Sequence, residues 1–181
     1  MTDTATKTTT WNIDTAHSSI EFAVKHMMFA TAKGRFGEFS GTVEFDEADI
    51  TNSSVEVTIQ VASATTNQEQ RDAHLRSADF FDADNHPTAT FKSTSVSGTP
   101  DDLKIAGDLT IRGVTKPVVL DAEFLGKGVT PYGTPVAGFT AKTKINRTEF
   151  GLTYNAALET GGVVVGEDVR LSIDVELNPA Q

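Results

Sequence analysis

The sequence predicts an all-β fold, one antiparallel domain of about eight strands. Three observations predict it. Apolar and polar residues alternate with period two through most of the chain, turn signals rich in Gly and Pro interrupt that alternation, and 181 residues is a length one β domain with a sizeable core commonly reaches.

In chain order, residues 1–10 are Thr-rich and polar and are expected to form a mobile tail ahead of a domain over residues 11–178. In SSIEFAVKHM, Ile20, Phe22 and Val24 alternate with Glu21, Ala23 and Lys25. In GEFSGTVEFD, Phe39, Val43 and Phe45 share a face with Gly37 and Gly41. SSVEVTIQVAS sets Val55, Val57, Ile59 and Val61 against Glu56, Thr58 and Gln60, and VRLSIDVEL repeats the pattern near the C-terminus with Val169, Leu171, Ile173, Val175 and Leu177. TATFKSTSV, LKIAGDLTI, VVLDAEFLG and AGFTAKTKIN are weaker strands. They are set apart by turn signals at Ser97–Asp102, Arg112-Gly113, Gly126-Lys127-Gly128 and Pro131-Tyr132-Gly133. Closing the sheet into a barrel removes exposed edges, and a barrel of about eight strands is either filled by side chains or holds one small ligand. Periodicity leaves both outcomes open, and a sandwich with them.

Residues 66–78 break the pattern. Thr66 and Glu69 have the spacing of a capping box, and NQEQRDAHLRSA contains no Gly or Pro, so a short helix is expected over residues 67–77. Asp72 and Arg76 are placed to pair on its solvated face. Arg71, His74, Leu75 and Ala78 gather on the other side, which directs an arginine and a histidine toward the sheet. A charge so placed needs a partner.

The net charge of −10 repels polyanions and offers little to nucleic acid or anionic lipid surfaces, so any anionic ligand needs a local positive patch. Absence of cysteine removes disulfides, thiolate nucleophiles and soft metal sites. No apolar stretch has the length of a secretory signal core or a membrane span, so a cytoplasmic chain without an integral membrane segment is expected.

Few motifs carry chemistry. The histidines, His17, His26, His74 and His86, show no metal-ligand spacing, and no metal or cofactor is expected; a site assembled in space from distant strands stays open. DTAHSS brings Asp14, His17, Ser18 and Ser19 together, but a nucleophilic triad is a matter of geometry and no GxSxG elbow appears. ETGGVVVG lacks the Lys and Ser/Thr of a phosphate loop and reads as a hairpin. Eleven phenylalanines against one Trp and two Tyr favour apolar aromatic surface, as either a packed core or a lined cavity.

Six stretches, from DTAHSSIEFAVKHMMF and GRFGEFSGTVEFD through RDAHLRSADFFDADNHPTATFKSTSV and GDLTIRGVTKPVVL to INRTEFGLTYNAALETGGVVVGEDVRLSIDVEL, with SSVEVTIQVAS between, run in order from Trp11 to Leu177. Together they resemble the YceI-like family of lipocalin-like, polyisoprenoid-binding β-barrels. The resemblance implies an extended barrel of about eight strands with a helical segment near one end, around a tunnel for a long apolar chain. It implies no shared catalytic activity, and a ligand that is an isoprenoid diphosphate, an isoprenoid quinone or a fatty-acid derivative. Many relatives carry an export leader; this sequence departs from them there. Same-face residues Phe22, Val24, Phe39, Phe45, Val57, Ile59, Phe91, Leu109, Ile111, Phe124 and Phe139 are the expected tail contacts, and Arg71, His74, Asn146 and Arg147 the expected head-group or entrance contacts. An internal ion pair of Arg71 or Arg147 with Asp14 or Glu149 is the structural alternative. A hydrolase or isomerase using His17 or His74 as acid or base, and a ligand-free interaction module, are the rival functions. A homodimer is left open.

Overall fold

A computed structural model describes residues 7–181. Eleven strands and one α-helix follow in order: β1 (Thr9–Ile13), β2 (Ser19–His26), β3 (Ala30–Phe36), β4 (Phe39–Phe45), β5 (Ser54–Gln60), β6 (Ala64–Thr65), α1 (Glu69–Arg76), β7 (Thr88–Thr99), β8 (Asp102–Ile111), β9 (Val114–Val129), β10 (Pro135–Asn146) and β11 (Val165–Pro179). All pair antiparallel in one sheet. Its order β1-β4-β5-β7-β8-β9-β10-β11 closes on itself where β1 pairs with β11, giving an eight-stranded barrel. The remaining strands, β2, β3 and β6, continue the sheet from the other half of β11.

The ring can close because β1 and β2 share β11 as neighbour. Trp11 to Ile13 pair with its last residues, and Ser19 to His26 with its earlier ones. The 14–18 turn between them is fastened to Glu176, whose N–H donates to Ser18 Oγ at 3.0 Å and whose carbonyl accepts from Asp14 N–H at 2.8 Å. Of the residues expected as a tail, 1–6 lie outside the described residues, while Thr9 and Thr10 are already strand, paired with Phe45 and Glu44.

The alternating segments are all strands, and three further strands join them. β3, with the sequence ATAKGRF, lacks apolar alternation and is strand because β2 and β6 pair with it on either side. Gly126-Lys127-Gly128 is not a turn. β9 runs through it to Val129, and the reversal comes at Pro131-Tyr132-Gly133. Arg112 and Gly113 both have positive φ, +50° and +73°, as a two-residue type I′ hairpin requires.

The helix occupies the expected place with different chemistry. It begins two residues later than a Thr66 cap would set it, with Gln68 at the N-cap and no side-chain cap bond. Thr66 is instead tied to Asp72: its N–H and Oγ1 both donate to Asp72 Oδ1, at 2.7 and 2.6 Å, while Thr65 Oγ1 donates to Oδ2. Asp72 is therefore buried, not on the solvated face beside Arg76. No helix among the described residues is long and apolar enough to cross a membrane.

Candidate functional site

The barrel is hollow. A cavity of about 430 Å³ runs through it, within the range of roughly 300–1,000 Å³ seen for small-molecule sites. Strand parity explains its walls, since the inward residues are mostly apolar, with Ser54, Thr140 and Thr143 among the exceptions, and no buried side-chain polar atom among the described residues lacks a hydrogen-bond partner. Phe22, Val24, Phe39, Phe45, Val57, Ile59, Phe91, Leu109, Ile111 and Phe139 line it. A Cβ on Gly107 would stand 2.5 Å from Phe91 Cζ, so the bare backbone there leaves room for the ring against the wall.

Phe124 is absent from the lining. A register shift in the β9–β10 pairing at Gly138/Phe139 brings it opposite Phe139, with ring centroids 4.9 Å apart, and 5.5 Å from Phe45. With Trp11, whose ring meets Phe45 edge-on at 6.3 Å, these aromatics form a packed cluster where β1 and β11 meet.

The opposite end is polar. Lys25, His26, Arg71, His74 and Arg147 line the cavity there beside Tyr154, and no carboxylate among the described residues lines it, in a chain with 25 Asp and Glu. They are neighbours because strand ends converge: β2 ends at His26, paired with Val165 at the start of β11, and Arg147 directly follows β10. The His74 ring lies 4.7 Å from Tyr154 and 4.9 Å from Phe80, and Arg147 stands 5.9 Å over Phe80.

Arg147 is 4 % exposed and forms no ion pair among the described residues. Its Nε donates to Gly166 carbonyl at 2.7 Å, one terminal nitrogen to the carbonyls of Leu152 and Tyr154 at 2.6 and 3.0 Å, and the other to Val165 carbonyl at 3.2 Å. Burial pushes its guanidinium down from the usual range, partly offset by Glu167. The ion pair expected for this residue is thereby corrected: Arg147 stands in the cavity lining, and its guanidinium is spent on carbonyls of Leu152 and Tyr154 in the irregular segment and of Val165 and Gly166 where β11 begins. Arg71 likewise meets no carboxylate. It donates from Nε to Thr66 Oγ1 at 2.7 Å and from a terminal nitrogen to Thr66 carbonyl at 3.0 Å, leaving the rest of its fork free at the cavity wall. Asn146 is not in the lining; its Oδ1 accepts from Thr148 N–H at 2.9 Å and Thr148 Oγ1 at 2.6 Å, capping a short 3₁₀ turn. His74 Nε2 is hydrogen-bonded to Asp79 at 2.8 Å.

Sequence reading missed Lys25, His26 and Tyr154. His26 shares parity with Ile20, Phe22 and Val24, so extending that alternation by one step would have found it. Tyr154 lies in an irregular segment and leaves no periodic signal.

His17 lies at the other end, outside this cavity. Its Nδ1 is 2.8 Å from Asp14 Oδ2 and 4.0 Å from Glu176 Oε1, and these three residues are the metal-capable group found among the described residues. No hydroxyl among the described residues is hydrogen-bonded to His17, and Ser18 is engaged with the backbone of Glu176. The hydrogen bond to Asp14 raises the His17 imidazole above its ordinary 6.5, and the same bond holds Asp14 below 3.8.

The profile of the YceI-like domain matches residues 11–177. A UPF0312 protein of Staphylococcus aureus (strain USA300) is 41% identical over 171 residues, covering 94% of this chain and 98% of that one. Among solved structures, BcnA of Burkholderia cenocepacia superposes with a TM-score of 0.80 at 25% identity, over 91% of this chain and 98% of its own. A polyisoprenoid binding domain from Saccharophagus degradans superposes with a TM-score of 0.65 at 16% identity, over 94% and 98%, a likeness of fold alone.

Proposed function

We propose, from the premise that this chain belongs to the YceI-like domain family, that it binds a long-chain amphiphilic lipid, tail in the barrel and anionic head at the helix end, as a carrier or store. The observation that carries the reading is the lining itself: predominantly apolar, with its ionisable side chains among the described residues being Lys, Arg, His and Tyr and gathered at one end. An isoprenoid, as its diphosphate or quinone, is the favoured ligand, and a fatty-acid derivative the other. Polyisoprenoid is the ligand in the name of the Saccharophagus degradans domain, which supports this choice through shared architecture.

Affinity comes from the tail. Each methylene removed from water contributes about 0.8 kcal/mol, so ten sequestered carbons supply roughly 8 kcal/mol before ordering costs. Arg71, His74, Lys25 and His26 supply orientation and head-group selection through charge-assisted hydrogen bonds, while Arg147 holds the rim behind them. Tails of similar shape are discriminated poorly, because one methylene is worth little in an apolar pocket.

Native mass spectrometry of freshly purified protein followed by organic extraction tests the reading: a bound lipid at one per barrel is expected. Val57→Trp, which fills the lumen from β5, is expected to abolish its retention. Retention equal to wild type would remove β5 from the tail path, and lipid-free protein that takes up no prenol would refute the carrier. Catalysis by His74 with Asp79 is the second reading. Turnover of a prenyl ester or diphosphate, lost in His74→Gln, would establish it. A cytoplasmic location belongs to the same proposal and is tested by cell fractionation.

A further inference from the structure

The β2–β3 hairpin ends in Met27-Met28-Phe29, a tip joined to the rest of the fold by the Met27 N–H, which donates to the Val164 carbonyl at 2.8 Å, and by the Met28 thioether. Phe29 is 90 % exposed and Met28 53 %. None of the three lines the cavity. Phe29 N–H donates to His26 carbonyl across the turn, and Met27 and Met28 between them have φ of +53° and +67°. Two successive left-handed residues are where hairpins ordinarily place Asn and Gly, and a bulky apolar residue there is a backbone outlier. A turn kept in an unfavourable conformation by residues that bury little has its explanation outside the folded chain.

Position supplies that explanation. The tip extends directly from Lys25 and His26, at the cationic end of the cavity, and Met28 packs its thioether near Gly162 of the segment that Arg147 fastens. Between Glu21 and Glu38 the chain carries Lys25, Lys33 and Arg35 and no carboxylate, against a net charge of −10 for the whole. None of the three is within ion-pair distance of a carboxylate among the described residues, although Glu21 lies opposite Arg35 in the strand register. The one carboxylate in the adjoining 151–164 segment is Glu159.

We infer that residues 27–29 are a membrane-docking tip, which enters the interface of an anionic phospholipid bilayer and sets the cavity end against it for lipid exchange. The inference deepens the lipid-carrier reading and rests on it for its purpose. Thioether and phenyl groups suit the acyl boundary, while Lys25 and Lys33, further back on the same hairpin, sit at head-group height. Lys25, Lys33 and Arg35 attract anionic head groups locally, against the repulsion that the net charge of −10 sets up over the rest of the chain, so this face is the one such a bilayer meets.

The test uses the full chain and vesicles of phosphatidylcholine and phosphatidylglycerol in equal parts. Met28→Asn with Phe29→Ser, which places a residue tolerant of the left-handed region in the turn, is expected to lower co-sedimentation on the order of tenfold without lowering Tm. Phe29→Trp is expected to shift its emission to the blue on these vesicles and less on phosphatidylcholine alone, against a constant background from Trp11, 4 % exposed. Unchanged co-sedimentation, no blue shift, or equal binding to both vesicles overturns the inference. So does a solution dimer of the wild type that Phe29→Ser dissolves, which would make the tip a contact between copies. Lipid extracted from the double variant separates the two readings: loss of docking with lipid retained sustains both, whereas docking intact with no lipid in either protein refutes the carrier and leaves the tip.

Discussion

At the Trp11 end of the barrel four aromatic rings close the sheet, whereas at the helix end the sheet is finished by ionic side chains bonded to backbone. In the first, Trp11 meets Phe45 edge-on at 6.3 Å, the rings of Phe45, Phe124 and Phe139 lie within 5.9 Å of one another, and strand pairing satisfies the backbone around them. In the second, Arg147 takes up four carbonyls, Arg112 takes up those of Ala78 and Phe80, and Asp72 accepts from Thr65 and Thr66. The difference teaches what each end is for. An apolar plug needs no partners and admits no passage. Irregular chain around an opening has backbone groups with no strand to pair with, and a long cationic side chain can gather several of them while leaving space beside it.

The comparison is broken most directly at Arg147. Arg147→Met keeps the volume and removes four hydrogen bonds from a buried site, and a loss of about 4–5 kcal/mol is expected in chemical denaturation, since stranded carbonyls retain their desolvation cost. Stability equal to wild type would mean that the clamp is incidental. At the aromatic end Phe45→Ala is expected to cost about 3–4 kcal/mol through the space it leaves. Its sharper reading is positional: the cavity would lengthen toward Trp11, and wild-type protein and variant would differ in the longest prenol each retains.

The smallest effect is pH-dependent and belongs to the aromatic end. His17, raised above 6.5 by its bond to Asp14, contributes stability that is full below 6.5 and fades as pH rises through the raised value. Asp14, lowered from 3.8 by the same bond, contributes stability present above 3.8 and lost as pH falls through the lowered value. The difference in Tm between wild type and His17→Gln is therefore expected to peak between pH 3.8 and 6.5 and shrink on both sides. A difference that is flat across this range would show that the 14–18 turn is held by its backbone bonds to Glu176 alone.

Where residues were legible in the sequence, a period made them so. β5 and β11 announce their inward faces through Val55 to Ile59 and Val169 to Leu177, and these residues do line the lumen. β3 was illegible because its place is dictated by two neighbours and not by its own small and charged residues. The same limit applies at the site. Arg71 and His74 were readable because a helix among strands concentrates charge on one side, but the partners of Arg147 are carbonyls, and a carbonyl has no letter. Phe124 was assigned inward by parity, and the irregularity at Gly138/Phe139 removed it from the wall, as one extra residue in a ladder does. Thr66 and Glu69 had capping-box spacing, yet the Asp72 carboxylate competes for the Thr66 donors and wins them.

The seam between β1 and β11 has one more consequence. Ala180 N–H donates to the Thr10 carbonyl at 2.9 Å, so the first and last strands of the barrel meet along one seam and the eight strands form a closed loop. Tyr132, 94 % exposed at the β9–β10 reversal, marks a place where such a loop could be cut instead. Which two staves the seam falls between is thus nearly a matter of indifference to the finished wall: they hold one another all the way round, and β1 against β11 is simply the joint at which the hoop was fastened.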